Sequence, residues 1–172
     1  GPDDAAWAAA DLPAEVAIRG LHGVTLLVRE AGPTGAILTD VLGFAAGTTE
    51  GATTRHQANG AVGGIVDLRA VGNFPRGAAG AGTVHHVAFR AVDDAAQAAM
   101  VGLLRDKGLH VTAQKDRNYF RSVYFREPGG VLFEIATDEP GFAVDEPAAS
   151  LGQALKLPAF LEPSRSEIEA VL

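Results

Sequence analysis

Apolar positions fall into two series along the chain. Residues 18–28 (IRGLHGVTLLV) are β-branched and apolar enough for a buried strand. Pro33 and Thr34 then open a short helix, with Ile37, Leu38, Val41 and Leu42 as its apolar stripe. Gly43 stands where a left-handed C-cap residue is wanted, and Phe44 re-enters the core. Two weaker strands, residues 47–54 and 56–61, precede a stronger one at residues 63–69 (GGIVDLR). The order is β-α-β-β-β.

After a Gly-rich stretch the order repeats. Residues 84–89 (VHHVAF) form a strand, Asp93 or Asp94 caps a helix with the stripe Ala96, Ala99, Met100, Leu103 and Leu104, and Gly108 closes it. Residues 110–113 follow as a strand, then a polar turn over 115–118, a strand at 122–126, a Glu127-Pro128-Gly129-Gly130 turn and a strand at 131–136. Superposing the series sets His22 on His85, Gly23 on His86, Gly43 on Gly108 and Asp67 on Glu134. Units this short cannot cover their own faces, so two paired βαβββ modules of an α+β fold, forming a curved mixed sheet with a concave site, are expected. The divisions are a lead-in at 1–16, a first module at 17–71, a connector at 72–83, a second module at 84–140 and a tail at 141–172. The tail carries a capping box, Ser164 with Glu167.

Composition narrows the chemistry. Fourteen Lys and Arg against 21 Asp and Glu give a net charge of -7, with no basic stripe to follow a phosphate backbone. Nucleic acid is therefore not an expected partner. No apolar run approaches a membrane span, so a soluble cytoplasmic protein is expected. The absence of cysteine leaves only N and O donors for any metal. The connector has no GK[ST] ending and is not a phosphate loop. A chain that starts without Met and stops at Leu172 inside a helical pattern suggests part of a longer one.

Alternation assigns faces to the candidate residues. Val131, Phe133 and Ile135 pack against the helix, which turns Glu134 to the concave side. In the first strand of the same module Val87, Phe89 and His85 take the helix side, leaving His86 and Ala88 concave. A carboxylate in an apolar strand costs several kcal/mol unless paired or metal-bound, so His86 and Glu134 together read as two metal ligands. Iron sites with two His and one carboxylate need a third ligand. Asp67 is the weak in-chain candidate, with a surface or Arg69-paired role favoured for it. His22, sent to the helix side, and His56 read as structural.

At these residues the chain resembles the vicinal oxygen chelate (glyoxalase/bleomycin resistance/dioxygenase) superfamily, through Val41-Leu42-Gly43-Phe44 and Pro128-Gly129-Gly130-Val131-Leu132-Phe133-Glu134-Ile135. It is most similar to the C-terminal half of hydroquinone-type ring-cleaving dioxygenases, through Gly82-Thr83-Val84-His85-His86, Asp116-Arg117-Asn118-Tyr119-Phe120 and Leu155-Lys156-Leu157-Pro158. The resemblance implies an Fe(II) site, with Mn(II) as the alternative, ligated by His86 and Glu134. It also implies O2 as co-substrate, a small aromatic substrate, and supporting roles for His85, Arg117 and Tyr124. The family's third ligand is assigned to a half not present here, or to a second copy in a homo-oligomer, because Gly23 holds the equivalent position. The rival readings are a glyoxalase-like isomerase with Ni or Zn at Asp67, His86 and Glu134, a metal-free resistance-type binding protein, and an inactive fragment.

Overall fold

The computed structural model describes residues 12–60, 62–75, 77–78 and 80–172. Most of the expected lead-in, residues 1–11, and the strand end at residue 61 lie outside them.

The first module comprises β1 (Gly23–Val28), α1 (Ala31–Asp40), β2 (Ala45–Glu50), β3 (Thr53–Gln57) and β4 (Ile65–Ala70). The second comprises β5 (Val87–Ala91), α2 (Asp94–Asp106), β6 (Lys115–Asp116), β7 (Phe120–Arg126) and β8 (Leu132–Pro140). Each builds its own four-stranded sheet with the same order, β1-β4-β3-β2 and β5-β8-β7-β6. In each the first strand runs parallel to the last, and the remaining pairs are antiparallel. A tail of short 3-10 turns and a last helix, α3 (Arg165–Glu169), follows.

Both helices stop where the chain enters a left-handed glycine, Gly43 at φ 73° and Gly108 at φ 77°. Behind Gly108, the Leu109 N–H reaches the Leu104 carbonyl at 3.0 Å and the Gly108 N–H that of Arg105 at 2.8 Å, satisfying carbonyls the helix end would otherwise leave free. Asp93 caps α2 by accepting from the Ala96 N–H at 2.8 Å.

One apolar core joins the modules, with Leu38 and Leu68 from the first beside Leu104, Phe133 and Ile135 from the second. The Phe44 and Phe89 rings meet edge to face at 5.8 Å. A buried polar joint reinforces this packing. Glu127, 2% exposed, accepts from the Thr34 hydroxyl at 2.5 Å and from the Gly129 and Val131 N–H groups at 2.7 Å each. A side chain on Gly129 would drive a Cβ to within 2.9 Å of Thr34 Oγ1, so the two modules close over a glycine.

Several expected boundaries move. β1 and β5 begin at Gly23 and Val87, which puts His22, His85 and His86 ahead of the strands whose alternation was applied to them. The first-module hairpin turns at Gly51, φ 57°, earlier than the hydrophobicity suggested. Residues 110–113 shrink to a single bridge between Val111 and Phe125, and the polar 115–118 stretch supplies β6 instead. That hairpin reverses at Asn118, φ 66°, whose N–H is held at 2.8 Å by the Asp116 side chain. The buried stripe of α2 is Gln97, Val101 and Leu104, whereas Ala99 and Leu103 face solvent. Gln97 replaces apolar packing with bonds to the Ile135 and Arg121 carbonyls at 2.8 and 2.9 Å, tying α2 to the sheet. Ser164 makes no side-chain cap, so the expected capping box does not form.

Candidate metal centre

On the concave face of the second module, Ala88, Glu134 and Tyr124 lie side by side as Cα partners on β5, β8 and β7. The Glu134 side chain is only 4% exposed. His86, immediately before β5, leans over it and places Nε2 2.8 Å from Glu134 Oε2. The sequence pairing of His86 with Glu134 is thus realised in space, although His86 reaches the face from a strand approach.

Around this pair the other candidate residues fall into place. The His86 ring meets the Tyr124 ring edge to face at 5.9 Å. The Arg117 guanidinium carbon sits 5.9 Å over the Tyr124 ring, where a cation is attracted to the π face. Arg117 is delivered by the β6–β7 reversal, its N–H bonded to the Phe120 carbonyl at 2.9 Å. His85 does not turn to the helix side: it is exposed, and its Nδ1 lies 2.9 Å from His86 Nδ1. One of those two nitrogens must carry a proton. The His86 ring is thus held at both nitrogens, Nε2 by Glu134 and Nδ1 by His85.

The first module's corresponding positions differ. Asp67 pairs with Arg55, not Arg69, through two bonds of 2.9 and 2.8 Å. The bonded Arg55 guanidinium holds the Asp67 carboxyl below its ordinary value against a smaller opposing effect of burial, and the charges of His22 and His56 add to the lowering. His22 is therefore in electrostatic reach of Asp67 and is exposed, not packed under the helix. His56 is buried, with Nδ1 unpaired and Nε2 3.0 Å from where a Cβ on Gly35 would stand. At Gly23, counterpart of His86, an added Cβ would lie 2.6 Å from the Ile65 carbonyl oxygen.

A nearly buried carboxylate facing an imidazole nitrogen, with N and O donors only, fits part of a divalent-metal donor set. Among the described residues no three His, Cys, Asp or Glu form a group able to hold a metal ion. Beside the pair opens a mainly apolar cleft of about 430 Å3. Its floor alternates His86, Ala88 and Arg90 with Glu134, Ala136 and Asp138, and its wall is the stacked pair Tyr119 and Phe142, 5.2 Å apart. Extending the alternation along β5 and β8 would have found Arg90 and Asp138. Nothing local would have found the Tyr119–Phe142 wall, which depends on a reversal at Gly141.

A family model described as Glyoxalase/Bleomycin resistance protein/Dioxygenase superfamily matches residues 20–135. Among curated proteins the chain is 42% identical over 163 residues to the "Putative ring-cleaving dioxygenase MhqO" of Bacillus subtilis (strain 168), covering 95% of this chain and 52% of that protein. It is 32% identical over 166 residues to a "Chlorohydroquinone/hydroquinone 1,2-dioxygenase" of Sphingobium indicum, covering 94% and 51%. The chain thus spans about half the length of the curated relatives it matches. A crystal structure of a "putative dioxygenase" from Bacillus subtilis superposes with a TM-score of 0.90 at 41% identity, over 99% of this chain and 55% of that one. A fosfomycin resistance protein, FosX, from Listeria monocytogenes shares the fold at a TM-score of 0.55 and 19% identity, over 70% of this chain and 93% of that one. With two βαβββ modules of matching strand order and a family match over most of its length, the chain belongs to the Glyoxalase/Bleomycin resistance protein/Dioxygenase superfamily.

Proposed function

We propose that this chain forms the metal-holding part of a ring-cleaving dioxygenase that opens dihydroxy aromatics with O2, using Fe(II), with Mn(II) as the alternative metal. The observation that carries the reading is Glu134, a buried carboxylate whose partner is an imidazole nitrogen at the edge of an aromatic-walled cleft. Dioxygenase names among relatives at 42% and 32% identity support the reaction class. His86 Nε2 and Glu134 would hold the ion, which when bound supplies Lewis acidity toward a phenol oxygen and a route for electron density from the ring to O2.

The chain's own groups do the rest. His85 orients His86 through the Nδ1 contact, so that Nε2 stays directed at the carboxylate. Tyr124 offers a phenol beside His86 and Glu134, suited to holding or passing a proton at a substrate hydroxyl. Arg117, behind that ring, supplies positive charge where ring oxygens become anionic. The third donor would come from a segment outside this chain, a second half or a second copy, since no third candidate among the described residues joins His86 and Glu134. The isomerase alternative requires Asp67 as a ligand, and the two-bond Arg55 pair works against it.

The test is oxygen uptake by Fe(II)-loaded protein across a panel of hydroquinones and catechols. One O2 consumed per ring opened is expected. No uptake with any diol in a protein shown to bind Fe(II) rejects the dioxygenase reading.

A further inference from the structure

On the open face of the first sheet, two cations stand without a counter-ion among the described residues. β1 alternates exposed Thr25 and Leu27 with buried Leu26 and Val28, which sets Leu27, 61% exposed, on that face. Arg69, its Cα partner on β4, is exposed beside it. The pairing runs on past the end of β1, where the Val71 N–H reaches the Val28 carbonyl at 2.9 Å and the Gly72 N–H the Arg29 carbonyl at 3.1 Å. Arg29 therefore follows Leu27 on the same face, one strand across and two residues on from Arg69, a backbone separation of roughly 8 Å. Among the described residues no carboxylate bonds either guanidinium. Asp67, two residues before Arg69, is committed to Arg55 through two bonds. Leu27 and Arg29 also line a cavity of about 410 Å3 at the seam of the modules, walled further by Phe74, Pro75 and Gly129. Phe74 is 67% exposed. The cavity shares no lining residue with the cleft beside His86 and Glu134.

We propose that the seam cavity is a second ligand site, taking an organic monocarboxylate with an apolar body. Its carboxylate lies between Arg29 and Arg69, and its body lies against Leu27, Phe74 and Pro75. An anion between the two cations relieves their mutual repulsion, and a guanidinium fork matches a carboxylate through two parallel bonds. Exposed apolar walls gain from covering hydrocarbon and gain nothing from a bare inorganic ion. The volume falls in the range of sites for small organic molecules. This site is independent of the metal pair and of the dioxygenase reading.

Benzoate, benzyl alcohol and inorganic phosphate, each titrated into the isotope-labelled chain at neutral pH and followed by NMR, test the site. Benzoate is expected to bind saturably with Kd of about 1 mM, with amide shifts centred on Leu27, Arg29, Gly72 and Gly129, and the other two probes at least about fivefold more weakly. Replacing both cations, Arg29→Gln with Arg69→Gln, is expected to weaken benzoate at least about tenfold. Both side chains are exposed, so the core is untouched by the change. About 0.5 M NaCl, which shortens screening to a few ångström, is expected to weaken benzoate several-fold in the unaltered chain. Benzoate affinity unchanged by both the double variant and salt overturns the proposal, as does the absence of saturable binding. Shifts centred on Ala88 and Ala136 overturn it by placing benzoate in the cleft beside Glu134. Phosphate binding as tightly as benzoate overturns the assignment of an organic ligand.

Discussion

Each module presents one row of three side chains across its first, last and third strands. In the first module the row is Thr25, Asp67 and Arg55; in the second it is Ala88, Glu134 and Tyr124. The lattice is the same, with an acid at the centre of both. What differs is the residue on the third strand. Arg55 closes two bonds on Asp67 and neutralises it, whereas Tyr124 carries no charge and leaves Glu134 to the imidazole of His86. The acid alone therefore does not make a site. Its third-strand neighbour decides whether the carboxylate is closed by a guanidinium or left facing an imidazole.

The sharpest way to break this comparison is to remove each acid in turn. Glu134→Ala is expected to weaken Fe(II) binding at least about 100-fold, and Asp67→Ala to leave it within about twofold, both read by competition with a ferrous chelator. Equal losses would mean that both modules contribute ligands. A smaller effect comes from transplanting the neighbour. Tyr124→Arg rebuilds the first module's row in the second, and Fe(II) affinity is expected to fall about tenfold as the guanidinium competes for Glu134. Unchanged affinity in that variant would show that the third-strand residue is not what separates the modules.

The smallest effect lies in acid stability. Because the folded Asp67 carboxyl sits below its ordinary value, the Arg55 pair stabilises the protein above the unfolded Asp value, about pH 4, and that contribution fades as pH falls through the lowered folded value. Arg55 is 46% exposed, so solvent screening keeps the effect small. Urea midpoints of the wild type and Asp67→Asn are expected to differ at pH 7 and to draw together as pH falls below about 4. A difference that grows toward low pH would reverse the assigned sign.

The module repeat and the face of Glu134 were legible because β8 is long, apolar and regular, so period-two alternation holds across it. The same rule misplaced His85 and His22, which stand ahead of their strands where the backbone no longer alternates. β6 hid in a run of charges because its pairing comes from the Asn118 reversal and not from burial. Glu127 and Gln97 were missed because polar residues carry no hydrophobic signal, yet both are buried, one joining the modules and the other pinning α2 to the sheet. Arg55 as the partner of Asp67 needed the β3–β4 register, which composition does not encode.

The close approach at Gly23 bears on the history of the two halves. If they descend from one duplicated ancestor, restoring a histidine to the first strand is not a single-codon event, since any side chain there runs into the Ile65 carbonyl until β1 and β4 respace. The spacing keeps this position of the first module to a glycine, whatever its counterpart in the second module carries.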